Sequence, residues 1–147
     1  MEWEQVFGVE VIIIMPHIPD KWYAFAVAKT YYKELIEAGV QIYEYLPGFI
    51  HAKVFVSDDD TATVGTINLD YRSLYLHFEC GAFIYSSPVI ADIEQDFQET
   101  KKQCKLITME EYKNPEIEII RFEVEDVTNT SVIINITNKK IRIFKYK

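Results

Sequence analysis

The residues with types and spacing suited to chemistry lie in one segment: His51-Ala52-Lys53, then Asp58, then Gly65-Thr66-Ile67-Asn68, the pattern H-x-K-x4-D-x6-G-T-x-N. Side chains alternate faces along a strand, so His51 and Lys53 point one way while Ala52, Val54 and Val56 point the other. Thr66 and Asn68 repeat the same two-residue step. If the two stretches are hairpin neighbours, an imidazole, an ammonium, a hydroxyl and a carboxamide converge on one patch. Such a patch suits a phosphoryl group, with Lys53 and Asn68 on the non-bridging oxygens and His51 supplying a nucleophile or a proton. A histidine and a lysine two apart mean nothing alone, since both can face water on a half-exposed sheet. Six residue types at fixed separations are another matter, with a chance match on the order of one in ten thousand or rarer. Asp58 stands at an even position, opposite His51 on a straight strand, and is expected to play a structural role.

These residues need a sheet to hold them. "VEVIIIMP", ending at Pro16, has the β-branched density of a buried parallel strand. After the turn "PHIPDKW", whose His17 is expected on the surface, Phe25, Ala28, Tyr32, Leu35 and Ile36 recur at helical spacing and Gly39 stands at a C-cap position. "VQIYEYLPG" reads as the next strand, which makes a βαβ crossover. "FIHAKVFVS" and "TATVGTINL" follow as a hairpin around Asp58-Asp59-Asp60, a triplet read as a solvated turn because it lacks the alternate-ligand spacing of a calcium loop. "LHFECGAFIYS" is a further strand, on which His77 reads as a polar strand residue. Ser87 is expected to cap a helix with Pro88 in its first turn and Val89, Ile90, Ile93 and Phe97 as its apolar stripe, running to about Gln103. Thr108 and Glu111 have capping-box spacing around a short helix. From Pro115 the texture changes: "EIEIIRFEVEDV", "SVIINIT" and "KIRIFKY" read as a small antiparallel β-rich appendage. The sequons at Asn129 and Asn135 read as chance matches.

With 147 residues, 49% hydrophobic and 26% charged, the chain has the composition of one ordinary globular domain that needs no disulfide or metal staple. Cys80 and Cys104 read as small buried thiols, and the 10 Tyr and 9 Phe as core. No run of about 18 apolar residues exists, and no signal peptide is visible. The formal charge of −8 divides into −13 over residues 1–138 and +5 over "KKIRIFKYK". An acidic body disfavours sequence-blind nucleic-acid binding, which needs a basic surface, but leaves a small anionic substrate open. The five terminal bases suit a solvated end or contact with anionic headgroups.

From about Gly8 to Pro115 the chain resembles the C-terminal HKD domain of bacterial cardiolipin synthases, in the phospholipase D superfamily. The resemblance rests on "GVEVIIIMPHIPD", "YYKELIEAGVQIYEYLPGFIHAKVFVSDD", "ATVGTINLDYRSLYLHFECGAFIY" and "ITMEEYKN". "EYLPGFIHAK" and "GTINLDYRSLYLHFE" point to the cardiolipin synthase branch rather than to the superfamily at large. The implied fold is α/β, a mixed β-sheet flanked by helices, over residues 1–114; residues 115–147, the β-rich tail, do not resemble the family. The implied reaction is double displacement through a phosphohistidine, which makes cardiolipin and glycerol from two phosphatidylglycerol molecules without metal or organic cofactor. His51 attacks or protonates, Lys53 and Asn68 neutralise oxygen charge, Glu79 orients the other ring nitrogen of the histidine, and Thr66 and Asp58 support the site.

The family builds its site from two HKD motifs and this chain has one. The partner implied is therefore a second HKD half, from the same full-length chain or from a second copy. The family also places an earlier strand and helix ahead of "VEVIIIMP". The resemblance thus implies a portion of a longer enzyme, lacking the N-terminal membrane spans, the first catalytic domain and the start of the second, with an unpaired sheet edge that favours association. The full-length enzyme is expected on the cytoplasmic side of the bacterial membrane and the chain itself in solution. The alternatives are a single-HKD phosphodiesterase or nuclease that completes its site by homodimerisation, and an inactive fragment.

Overall fold

The computed structural model describes residues 8–19, 21–112 and 140–144. Strand β1 (Glu10–Pro16) buries nearly every residue, as an apolar run covered on both faces should. Helices α1 (Trp22–Thr30) and α2 (Tyr32–Glu37) carry the chain across the sheet to β2 (Gln41–Tyr45), which pairs parallel to β1 from Ile12↔Gln41 to Pro16↔Tyr45. The expected single helix is broken at Tyr31. Gly39 ends the crossover at φ +87°, a conformation that favours glycine.

Strands β3 (Val54–Ser57), β4 (Thr61–Gly65) and β5 (Gly81–Tyr85) form an antiparallel meander. Asp58 and Asp59 take φ +52° and +60° in the β3–β4 turn, which the short polar side chain of aspartate tolerates. Between β4 and β5 the chain makes one π-helical turn, Arg72–Leu76. Helix α3 (Val89–Lys101) leads to β6 (Cys104–Leu106), antiparallel to β2, and to the short helix α4 (Met109–Tyr112). The side chain of Glu111 accepts the Thr108 N–H at 3.2 Å, one half of the capping box read from the sequence.

The strands join in one seven-stranded mixed sheet, ordered β5-β4-β3-β7-β1-β2-β6. Odd residues of β1 (Val11, Ile13, Met15) pack with Ala28, Tyr32, Leu35, Ile36 and Tyr112 of α1, α2 and α4, whereas Ile12 and Ile14 meet Phe97 of α3. Farther along, α3 covers Val56 and Ala62 with Ile90 and Ile93. The mixed sheet flanked by helices is the expected class.

The tail segment "KIRIFKY" was expected in a separate β-rich appendage. Its strand β7 (Lys140–Phe144) instead lies inside the main sheet, parallel to β1 and antiparallel to β3. The facing edges of β1 and β3 offer unpaired N–H and C=O groups, and a strand satisfies both ladders at once. The rest of the tail, with both sequons, lies outside the described residues.

Two composition-based expectations are corrected. Phe49, Tyr71, Tyr75, Phe78, Phe83 and Tyr85 are exposed, because they stand in connecting segments or on an outward face of β5. Cys80 is exposed too, in the segment that precedes β5, while Cys104 is half-buried. No helix among the described residues is long and apolar enough to cross a membrane.

Candidate functional site

The parallel strands β1 and β2 end where β3 begins and β4 ends, so the chemistry-bearing segments gather at one end of the sheet. Carboxyl ends of parallel strands are the usual location of clefts in α/β sheets. A cleft of about 500 Å³ opens there, lined by His51, Lys53, Gly65, Thr66, Asn68, Asp70, Arg72, Ser73, His77 and Glu79.

His51 and Lys53 precede the first paired residue of β3, yet the Gly65 N–H donates to the Lys53 carbonyl at 3.1 Å and keeps this stretch extended beside β4. Alternation then brings the two side chains together, with Lys53 Nζ 2.9 Å from His51 Nε2. An ammonium has only protons to give, so Nε2 is the acceptor and we assign the imidazole proton to Nδ1. The Phe49 ring stacks on that of His51 at 5.8 Å. Lys53 is buried, and desolvation lowers its pKa, an effect the nearby Glu79 charge opposes.

Thr66 sits just beyond a tight crossing of strands. A Cβ on Gly65 would collide with the Cys80 carbonyl and come within 2.6 Å of Gly81 Cα, so this pairing requires glycine. The close approach lets the Thr66 N–H donate to the Cys80 carbonyl at 2.9 Å and its hydroxyl accept the Cys80 N–H at 3.0 Å. The same hydroxyl donates to Glu79 Oε2. Glu79 Oε1 accepts from the Ser73 hydroxyl at 2.6 Å. These two hydrogen bonds, Ser73 first and Thr66 second, hold the Glu79 carboxyl below the usual range, with help from the charges of His77 and Lys53.

The residues expected to act together are thus distributed as follows. His51, Lys53, Thr66, Asn68 and Glu79 line one cleft. Asp58 lies in the turn at the far end of β3, outside the cleft lining. Glu79 was expected on the second nitrogen of His51; among the described residues its hydrogen bonds go to Thr66 and Ser73. His77, read as a polar strand residue, stands in no strand and lines the cleft. The carboxamide oxygen of Asn68 is buried without a hydrogen-bond partner among the described residues; the group of this side chain that can donate to a phosphoryl oxygen is its amide NH2. Sequence reasoning missed Asp70, Arg72 and Ser73, which belong to the π-helical turn and its approach, where strand alternation gives no guidance. The one available signal is the Asp70-x-x-Ser73 spacing of a side-chain cap, made at 2.8 Å from the Ser73 N–H to Asp70 Oδ1.

Chemically, the cleft presents a buried cation, a second cation at Arg72, a carboxamide, and an imidazole whose Nε2 lone pair is directed at an ammonium. A phosphate oxygen can replace Nε2 as the partner of Lys53. No group of three or more His, Cys, Asp or Glu side chains with metal-site geometry occurs among the described residues.

Residues 4–101 match the family model described as "Cardiolipin synthase, PLD-like domain". An uncharacterized protein of Streptococcus mutans is 59% identical over 101 residues, covering 69% of this chain and 22% of that protein. "Cardiolipin synthase 2" of Bacillus anthracis is 41% identical over 71% of this chain and 20% of its own length, and "Cardiolipin synthase" of Geobacillus kaustophilus is 42% identical over 72% and 21%. The chain spans about a fifth of the length of these relatives. No solved structure matches it significantly.

Proposed function

Because the chain belongs to the cardiolipin synthase PLD-like domain family, we propose that its cleft is one half-site of a phosphatidyltransferase that joins two phosphatidylglycerol molecules into cardiolipin and glycerol. The observation that carries this reading is the convergence of His51, Lys53 and Asn68 on one cleft, with the 2.9 Å Lys53–His51 contact at its centre.

The lipid phosphodiester enters with one oxygen taking the Lys53 ammonium from His51. This frees the Nε2 lone pair to attack phosphorus while the proton stays on Nδ1. The P–N bond forms as the P–O bond to glycerol breaks, and the departing oxygen takes a proton from the histidine of a second HKD half. The ring is then a cation, stabilised by the Glu79 charge nearby. A hydroxyl of the second lipid gives its proton back to that histidine and attacks phosphorus, breaking the P–N bond and restoring neutral His51. Lys53, Asn68 and Arg72 offset charge on the phosphoryl oxygens, and Phe49, Tyr75 and Phe78 offer exposed apolar surface to lipid chains or to the second half. The reaction belongs at a membrane surface, since its substrate is a lipid.

The test supplies the purified chain with phosphatidylglycerol vesicles and, separately, with bis(p-nitrophenyl) phosphate. Cardiolipin formation lost in His51→Ala is the expected result. Hydrolysis of the generic ester with no cardiolipin formed would replace the transferase by a phosphodiesterase, and turnover indifferent to His51→Ala would overturn the site assignment. Sedimentation over a range of concentrations shows whether two copies meet to supply the second motif.

A further inference from the structure

We propose that Ser73 is a positioning residue whose single hydroxyl locks Glu79 and the Asn68 backbone into one unit facing Lys53. Its catalytic meaning rests on the phosphodiester reading above; the lock itself rests on geometry.

Ser73 is 6% exposed although Arg72 and Leu74 beside it are exposed. Its own N–H donates to Asp70 Oδ1 at 2.8 Å, which fixes the backbone at the entry to the π-helical turn. Its hydroxyl oxygen accepts the Asn68 N–H at 2.8 Å, so the single hydroxyl proton goes to Glu79 Oε1 at 2.6 Å. Thr66 repeats this from the opposite side, accepting the Cys80 N–H and donating to Glu79 Oε2. Each carboxylate oxygen thus receives a hydroxyl whose acceptor side faces a backbone N–H. Each hydroxyl gives its one proton to the carboxylate, although the Thr66 hydroxyl also has the Cys80 carbonyl within 3.3 Å as an acceptor. Two donated hydroxyl protons therefore favour an ionised Glu79, a fixed counter-charge for Lys53 rather than a carrier of protons. Because Ser73 also holds the Asn68 N–H, the carboxamide and the carboxylate are placed by the same atom.

The test compares Ser73→Ala, Ser73→Thr and Thr66→Val with the wild type by NMR, following the Glu79 carboxyl carbon against pH and the exchange rate of the Asn68 amide. Ser73→Ala raises the Glu79 midpoint toward the ordinary carboxylate value and speeds Asn68 exchange by about tenfold or more. Thr66→Val raises the midpoint and leaves Asn68 exchange alone, and Ser73→Thr, which keeps the hydroxyl, restores both. An unmoved midpoint and unmoved exchange in Ser73→Ala overturn the proposal. If the alanine variant does not fold, Ser73→Cys, close in size and a poorer donor, is read by the same two measurements. Inorganic phosphate added to the wild type separates the two layers: no shift of the His51 and Lys53 signals counts against the phosphodiester reading and leaves the lock standing, whereas phosphate binding with a Glu79 midpoint unchanged in Ser73→Ala removes the lock alone.

Discussion

Two carboxylates near the same end of the sheet have opposite surroundings. Glu44, on β2, is 3% exposed, and both its oxygens are occupied: His17 Nδ1 lies 2.7 Å from Oε2, while the Tyr32 hydroxyl and Lys29 Nζ each lie 3.3 Å from Oε1. Glu79 lies on the cleft wall, held by two hydroxyls, with Lys53 close enough to feel its charge but not bonded to it. The closed cluster matches opposite charges at contact distance, which favours one packed arrangement and leaves little for a ligand to gain. The open one fixes an anion without neutralising it, and leaves the neighbouring cation free to meet another anion. On the proposed reading, the functional carboxylate differs from the structural one by what its partners do not neutralise, not by its burial.

One substitution made at both positions breaks or sharpens this contrast. Glu79→Gln removes the counter-charge, and turnover in the phosphatidylglycerol assay falls by roughly 100- to 1000-fold, the scale of losing one preorganised electrostatic group, with the melting temperature lowered less than in Glu44→Gln. Glu44→Gln does the reverse. Removing a buried anion from hydrogen bonds with a cation and a phenol costs about 2 kcal/mol, a melting-temperature drop of roughly 5 °C for a chain of this size, while turnover at low temperature persists. If both variants lose stability alike, or both lose turnover alike, the two clusters are not different in kind.

The two limbs of the pH–stability profile report on the two clusters separately. The folded-state pKa of Glu79 is depressed, so the unfolded chain takes up this proton first on acidification. Its contribution is present above the ordinary carboxyl value of about 4.3 and is lost as pH falls through the folded value. The stability gap between wild type and Glu79→Gln is therefore constant at neutral pH and shrinks below about pH 4. Tyr32 has the opposite sign: burial first, then the Glu44 charge and hydrogen bond, raise its pKa well above 10.0. Its contribution is full below about pH 10 and is lost as pH climbs toward the folded value. Urea unfolding at several pH values shows this alkaline loss in the wild type and not in Tyr32→Phe.

Much of this arrangement is legible in the sequence, and what is not has physical reasons. The βαβ crossover follows from the periodicities of "VEVIIIMP" and the helix after it, and strand alternation alone brings His51 to Lys53. Alternation also shows that Ile42 and Glu44 share a face of β2, but not that this face is the buried one, because a glutamate between tyrosines reads as the outward residue until Lys29, Tyr32 and His17 are seen around it. Glu79 enters through family resemblance only. Its true partners depend on the π-helical turn, which returns the chain so that Ser73 reaches back five residues to Asn68 and forward six to Glu79. No short-range pattern encodes that turn. The insertion of β7 between β1 and β3 is likewise a long-range pairing, satisfied across the chain rather than within a window.

The two cysteines give the smallest effect and a direct probe of the same contrast, since one adjoins each carboxylate. Cys80 follows Glu79 in sequence and is exposed; Cys104 pairs in register with Tyr45, the residue after Glu44, and its thiol donates to the Thr100 carbonyl at 3.2 Å. Burial raises the Cys104 pKa to about 11, so at pH 8 only about one molecule in a thousand carries the reactive thiolate there. With Ellman's reagent, Cys80 reacts in a first phase and Cys104 in a second that is slower by about a hundredfold, and blocking Cys80 leaves the melting temperature unchanged. Glu44→Gln, which loosens the closed cluster, speeds the slow phase and leaves the fast one alone. Two equal phases in the wild type would mean that the β2–β6 edge opens as readily as the cleft, and the closed character assigned to the Glu44 region would then belong to one conformation rather than to the folded ensemble.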